Sequence, residues 1–125
     1  MNEFVLMSST IFGALTIIFG AFGAHALKKI LSEDQMKSFE TGVKYQMYHA
    51  LVLLIIGFQL NFSGTIEKIA GWCFIVGTIL FSFSIYALTI SSAKGKKMTF
   101  LGPVTPLGGL FLMAGWTFLI VYFLS

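Results

Sequence analysis

The sequence predicts an all-α integral membrane protein, a four-helix bundle with a short amphipathic interfacial helix between spans one and two. Of the 125 residues, 57% are hydrophobic and only 10% are charged, whereas soluble domains carry about 25% charged residues. Four apolar segments approach or exceed the length of about 20 residues that crosses a bilayer. The basic residues are all lysines and lie between these segments. We therefore predict that residues 1–125 form a single membrane domain.

The first span is predicted at residues 4–24, which carry no charge. At about 1.5 Å per residue this segment covers roughly 30 Å of hydrocarbon. A cleaved signal peptide is the alternative, because Ala24, His25 and Ala26 fit a small-x-small cleavage site. Against cleavage, the preceding residues include Glu3 and no lysine, and the apolar run exceeds the usual length of about 7–15 residues. We expect the segment to be retained.

The connection after the first span carries a helix start signal. Ser32, followed three residues later by Gln35, predicts a capping box. Apolar residues then recur at helical spacing, namely Met36, Phe39, Val43 and Met47. We predict a short amphipathic helix along the cytoplasmic interface, bending at Gly42. The alternative is one continuous helix that extends the second span.

The remaining spans are predicted from the apolar segments that follow. The second, residues 47–62, is short for a membrane span, whereas the third, residues 69–93, has length to spare. The fourth, residues 107–124, begins after GPVTP. Proline suits a first helical turn, so we expect Pro106 to stand there with Thr105 as the cap.

The distribution of lysines predicts the orientation. The first and third connections share one side of a four-span protein, and together they hold Lys28, Lys29, Lys37, Lys44, Lys94, Lys96 and Lys97. The second connection holds only Lys68. Because lysine-rich connections stay in the cytoplasm, we expect a multi-pass plasma-membrane protein with both termini extracytoplasmic.

Small residues follow one stripe of the first span, at Ser9, Gly13, Thr16, Gly20 and Gly23. In lipid, the hydrophobic effect does not drive helices together, so close packing of small residues and hydrogen bonds between helices do so. We favour packing of this stripe within one chain. The alternative use is contact between copies of the chain in a homo-oligomer.

The two histidines are predicted at the cytoplasmic ends of spans one and two, where His25 and His49 could be neighbours. We favour structural roles, with His25 at a helix C-terminus that stabilises a positive charge. The alternatives are a haem held by both imidazoles, a metal site and a proton-sensitive switch. A zinc site needs three or four ligands, and the single Cys73 lies toward the opposite face. We predict no cofactor and no bound metal.

Three separated phrases carry a family resemblance: GAFGAHAL at 20–27, ETGVKYQMYHALVL at 40–53 and TPLGGLFLMAGW at 105–116. Together they resemble the DUF423 family of small bacterial membrane proteins, over nearly the whole chain. The resemblance implies a compact multi-span protein of the plasma membrane and carries no activity with it. The motif residues are the candidate functional positions, with no role transferred: His25, Tyr45, Gln46, His49, Pro106, Gly108, Gly109 and Trp116.

The sequence favours a function without catalysis. No Asp, Glu, Lys or Arg lies within a predicted span, although ion-coupled transporters typically bury such groups. We predict a non-enzymatic interaction or lipid-organising protein, with membrane lipids, a second copy of the chain or another membrane protein as partner and no nucleic acid. The alternative is an oligomeric channel or facilitator for a small solute, lined by Gln59, Ser82, Ser84, Thr89 and Ser91.

Overall fold

The computed structural model describes all 125 residues, and it contains helices and no strands. The main helices are α1 (Asn2–His25), α2 (Glu33–Gln59), α3 (Thr65–Thr78), α4 (Ser84–Ala93) and α5 (Val104–Leu124). A π-helical segment, Ile79–Phe83, joins α3 directly to α4, and single turns of 3-10 helix stand at Leu27–Lys29 and Thr99–Leu101. The all-helical prediction is confirmed.

Three helical stretches are long and apolar enough to cross a membrane, namely Asn2–Lys29, Thr65–Ala93 and Thr99–Leu124. They contain the first, third and fourth predicted spans. The helix α2, with 27 residues, is long enough but not apolar enough by the same measure, because polar residues such as Lys44, Gln46 and His49 lie within it.

The connection between spans one and two differs from the predicted short interfacial helix. Ser32 and Gln35 form the predicted capping box, with each side chain bonded to the backbone of the other residue. The helix that starts there continues without a break through Gly42 to Gln59, as in the alternative prediction. The predicted second span, residues 47–62, therefore covers only the later part of α2 and runs past its end.

Packing against α1 explains why α2 stays continuous. The Asn2 side chain donates hydrogen bonds to the carbonyls of Gly57 and Leu60, at 2.9 and 2.5 Å. At the other end of the pair, a Cβ on Gly23 would lie 2.7 Å from the Phe39 ring. The two helices thus run antiparallel along the whole length of α1. The predicted small-residue stripe lies in or beside this contact, since Ser9, Thr16 and Gly23 are buried.

The tightest packing joins α5 to the stretch formed by α3 and the π-helical segment. Glycines make the crossing possible: a Cβ on Gly77 would lie 2.9 Å from the backbone nitrogen of Leu112, and one on Gly115 would lie 2.8 Å from the Phe74 ring. A Cβ on Gly108 would overlap the backbone nitrogen of Phe81. This contact brings one helix backbone directly against another.

Along the bundle axis, the first residue of α5 is not level with the last residue of α4. Gly108 lies beside Phe81, and the two helices are antiparallel, so Val104 lies at about the level of Ile85. Because α4 continues to Ala93, the start of α5 is recessed by about 12 Å at 1.5 Å per residue. Val104 is the first residue of α5. The predicted cap, Thr105, already lies within the helix, and its hydroxyl bonds with that of Ser84 at 2.5 Å instead.

Candidate functional site

Three of the candidate residues form a cluster between α2 and α5. The Trp116 indole lies 3.1 Å from Nε2 of His49, and the other ring nitrogen, Nδ1, lies 2.8 Å from the carbonyl of Tyr45. An indole N–H can only donate and a carbonyl can only accept. The bonds therefore fix a neutral imidazole with its proton on Nδ1. The ring of Phe74 closes the cluster, with its centroid 5.7 Å from that of His49.

Gln46 is the centre of a second buried cluster, which joins three helices. Its amide nitrogen donates to the carbonyl of Phe12 at 2.9 Å, and its amide oxygen accepts from the Tyr86 hydroxyl at 2.6 Å. Gln46 has no exposed surface. One turn away, the Ser82 hydroxyl donates to the carbonyl of Gly42 at 2.7 Å. These bonds link α1 and α2 to α4 and to the π-helical segment. They also give hydrogen-bond partners to polar groups that are buried in the bundle.

The candidate residues at the start of α5 have different surroundings. Gly108 is buried against the backbone of Phe81, whereas a Cβ on its neighbour Gly109 would meet only the ring of Phe81, at 3.8 Å. Pro106 is exposed in the first turn of α5, where its missing N–H costs no helical hydrogen bond. Gly108 is therefore the packing residue of this motif.

The two histidines are not neighbours. His25 is exposed at the end of α1, whereas His49 is buried within α2. Gly23 of α1 and Phe39 of α2 lie side by side and mark one level of the antiparallel pair. From that level, His25 lies two residues toward one end and His49 lies ten residues toward the other. Twelve residues of helical rise separate them by about 18 Å. The prediction that both histidines lie at similar depth is wrong, and one haem iron could not bind both.

Two cavities open at the end of the bundle that carries Lys28, Lys94, Lys96 and Lys97, which we term the lysine-rich end. The polar crevice, about 560 Å³, lies above the recessed start of α5, and its walls include Asp34, Gln35, Ser38, Thr41, Lys97 and Thr105. The apolar groove, about 650 Å³, lies between α1 and α4, and its walls include Leu15, Phe19, Phe22, Phe83, Ala87 and Lys94. Neither cavity is lined by His25 or His49.

The sequence pattern did not single out Tyr86 or the Phe12 carbonyl as members of a site. Both bonds of Gln46 reach residues more than 30 positions away, so no local spacing could indicate them. No group of three or more His, Cys, Asp or Glu side chains is placed to hold a metal ion.

The comparisons with known proteins agree with the candidate motifs. The family model described as a protein of unknown function (DUF423) matches residues 19–109. The chain belongs to the DUF423 family. The match includes every candidate position of this DUF423 protein except Trp116.

Similar DUF423 relatives occur in several bacteria. The UPF0382 membrane protein YwdK of Bacillus subtilis is 35% identical over 97% of this chain and 95% of its own length. The UPF0382 membrane protein SH2409 of Staphylococcus haemolyticus is 42% identical, over 82% of this chain and 80% of its own length. The UPF0382 inner membrane protein YgdD of Escherichia coli is 32% identical, over 96% and 88%. No solved structure matches. Together with the three apolar helices, the relatives identify a multi-pass membrane protein.

Proposed function

We propose that this protein is a non-enzymatic plasma-membrane protein that binds and organises lipids at its lysine-rich end. The observation that carries this proposal is that the polar side chains of the interior already have hydrogen-bond partners, whereas cavities open at the lysine-rich end. Among buried side chains, only the Thr78 hydroxyl lacks a hydrogen-bond partner, so the interior offers few free groups to a substrate. The two cavities described above lie at the lysine-rich end instead.

A four-span arrangement follows from the pairing of α1 with α2. Because α2 lies beside α1 along its whole length, a bilayer that surrounds α1 also surrounds the segment of α2 from about Phe39 to Leu60. Glu40 and Lys44 are exposed near the lysine-rich end, where long charged side chains reach the membrane surface. The lysine distribution then favours cytoplasmic placement of the lysine-rich end and extracytoplasmic termini.

The His49 cluster supports a structural role over catalysis. Both ring nitrogens of His49 are engaged by Trp116 and Tyr45. A general base needs a free nitrogen within hydrogen-bond reach of a substrate proton. His49 has none, so we propose that it orders the contact between α2 and α5.

The lipid proposal is tested by native mass spectrometry of the protein released from nanodiscs made from its own membrane. We expect a defined lipid to remain bound at a fixed stoichiometry. A bare chain with only exchangeable bulk lipid contradicts the proposal. The same spectra report whether a second copy or another membrane protein is bound.

The orientation is tested by labelling single cysteines in intact cells, because Cys73 is the only native cysteine. In a Cys73→Ser background, we expect an impermeant maleimide to label Ser125→Cys. The matched variant Lys96→Cys should be labelled only after the membrane is permeabilised. The reverse pattern contradicts extracytoplasmic termini.

A solute facilitator is the second candidate, favoured by the polar crevice alone. The hydroxyls predicted to line a path are bonded within the bundle: Ser84 to Thr105, Thr89 to the Ile85 carbonyl and Ser91 to the Leu88 carbonyl. Swelling of proteoliposomes in a small neutral solute, above that of empty liposomes, would support this candidate. A rate equal to that of empty liposomes would contradict it.

A further inference from the structure

We propose that the apolar groove between α1 and α4 is a binding site for one anionic phospholipid, with an acyl chain in the groove and the headgroup at Lys94. The inference rests on the proposed lipid function and names the ligand class and the site. Three polar side chains line the groove, those of Ser91, Lys94 and Tyr86. The Tyr86 hydroxyl bonds to Gln46. No acidic residue lines it.

The length of the groove matches one leaflet. The wall formed by α4 and its two flanking residues runs from Phe83 to Lys94, eleven residues that rise about 16 Å along a helix. The hydrocarbon core of a bilayer is about 30 Å thick, so half of it, one leaflet, is about as deep as the groove. An acyl chain whose headgroup stays at the lysine-rich surface would therefore end where the groove ends.

The volume of the groove favours an acyl chain over a helix of a second copy. A helix with side chains is about 10 Å across, so fewer than two turns would fill the 650 Å³ of the groove. A transmembrane helix needs about 20 residues and would contact the rim without filling the groove. Phe19 and Phe83 are in edge contact, with ring centroids 6.2 Å apart, so a single-file chain of methylene groups would lie along these rings and not between them.

Selectivity must come from the headgroup. In lipid surroundings, an acyl chain gains no hydrophobic energy by leaving its neighbours for a groove, because both environments are apolar. The charge at the mouth therefore decides which lipid stays. Lys94 is exposed at the end of α4, and the turn Leu27–Lys29 places Lys28 and Lys29 at the same end of the bundle. Lysines at a membrane surface attract anionic headgroups.

The experiment compares two lysines in the same loop. The protein is reconstituted in bilayers of equal phosphatidylglycerol and phosphatidylcholine, and the retained lipids are counted by native mass spectrometry. We expect the wild-type chain to retain one phosphatidylglycerol. Lys94→Gln should lower the preference for phosphatidylglycerol about fivefold, and Lys94→Arg should restore it. Lys96→Gln, which removes the same charge outside the groove, should leave the preference within about twofold.

A second pair of variants tests the groove itself. Ala87→Phe fills the groove, whereas Ala21→Phe adds the same ring at an exposed position of α1 outside it. We expect Ala87→Phe to abolish the retained lipid and Ala21→Phe to keep it. Circular dichroism and elution as the wild-type species confirm folding of each variant.

The outcomes separate the site from the function. If the wild-type chain retains no phosphatidylglycerol in preference to phosphatidylcholine, the anionic site is overturned, whereas the lipid function is overturned only if no lipid at all stays bound. If phosphatidylglycerol is preferred, but Lys94→Gln and Lys96→Gln act equally, the attraction is diffuse and only the site is overturned. Retention by Ala87→Phe also overturns the site alone.

Discussion

The helices α3 and α4 belong to one continuous helical stretch, yet their surroundings differ. α3 and the π-helical segment pack against α5 through Gly77, Gly108 and Gly115, and we term these three elements the packed half. α4 extends past the recessed start of α5 and has a cavity on each side. We term α4 and the facing part of α1 the open half.

The difference shows what brings the helices of a bundle into close contact in lipid. The packed half has glycines where helices cross, and the α4 sequence SIYALTISSA has none. Because lipid chains fill a gap as well as side chains do, helix backbones need not meet where no glycine allows their close approach. The groove between α1 and α4 therefore persists as part of the fold.

The largest expected effect comes from Gly108 in the packed half. Gly108→Ala places a Cβ 2.7 Å from the Cα of Phe81, where backbone cannot move aside, so we expect a loss of about 3 kcal/mol in the free energy of unfolding. The adjacent Gly109→Ala should instead add about 0.5 kcal/mol through a less flexible unfolded chain. Unfolding in detergent measures both, and equal effects would contradict backbone contact at Gly108.

The bond between Gln46 and Tyr86 joins α2 to the open half. Tyr86→Phe removes the donor to a buried amide oxygen, and we expect it to cost about 1.5 kcal/mol of unfolding free energy. In a Gln46→Leu background the same change should cost almost nothing, because the oxygen is absent. A double-mutant cycle measures this coupling. Additive losses would mean that the Tyr86 hydroxyl contributes through a partner other than Gln46.

Trp116→Phe tests the α2–α5 contact at a smaller scale. The change removes the N–H that donates to His49 while keeping an aromatic ring beside Phe74. We expect a loss of about 0.6 kcal/mol, the usual value for a hydrogen bond between membrane helices. Nitrogen NMR of the His49 ring should still show the proton on Nδ1, because the Tyr45 carbonyl can only accept. A proton on Nε2 in this variant would show that the bond from Trp116 fixes the tautomer.

The smallest effect is expected in the open half. Ala87→Phe adds a ring to the apolar groove, where space exists, so we expect the free energy of unfolding to change by less than about 0.5 kcal/mol. The unfolding assay used for Gly108→Ala provides the direct comparison. A loss as large as that of Gly108→Ala would show that the groove has no room for the ring and would end the distinction between the halves.

Local signals predicted much of the fold and little of the site. Three apolar spans, the Ser32 capping box and the small-residue stripe were readable because each depends on residues close in sequence. Local sequence signals could not predict that α2 continues through Gly42 or how deep His49 lies. Both features depend on pairing with α1 and α5. Both partners of Gln46, and the Trp116 partner of His49, lie 34 to 67 positions away.

The recessed start of α5 has a consequence for the surrounding bilayer. α1, α2 and α4 all reach the lysine-rich end, whereas α5 begins about 12 Å short of it and only the turn Thr99–Leu101, with its exposed Phe100, continues the apolar surface there. Such hydrophobic mismatch is relieved by local thinning of the membrane or by tilting of the bundle, at fractions of a kcal/mol per ångström. Because only one side of the bundle is short, the membrane beside it would carry a step, thinner at α5 than at α1.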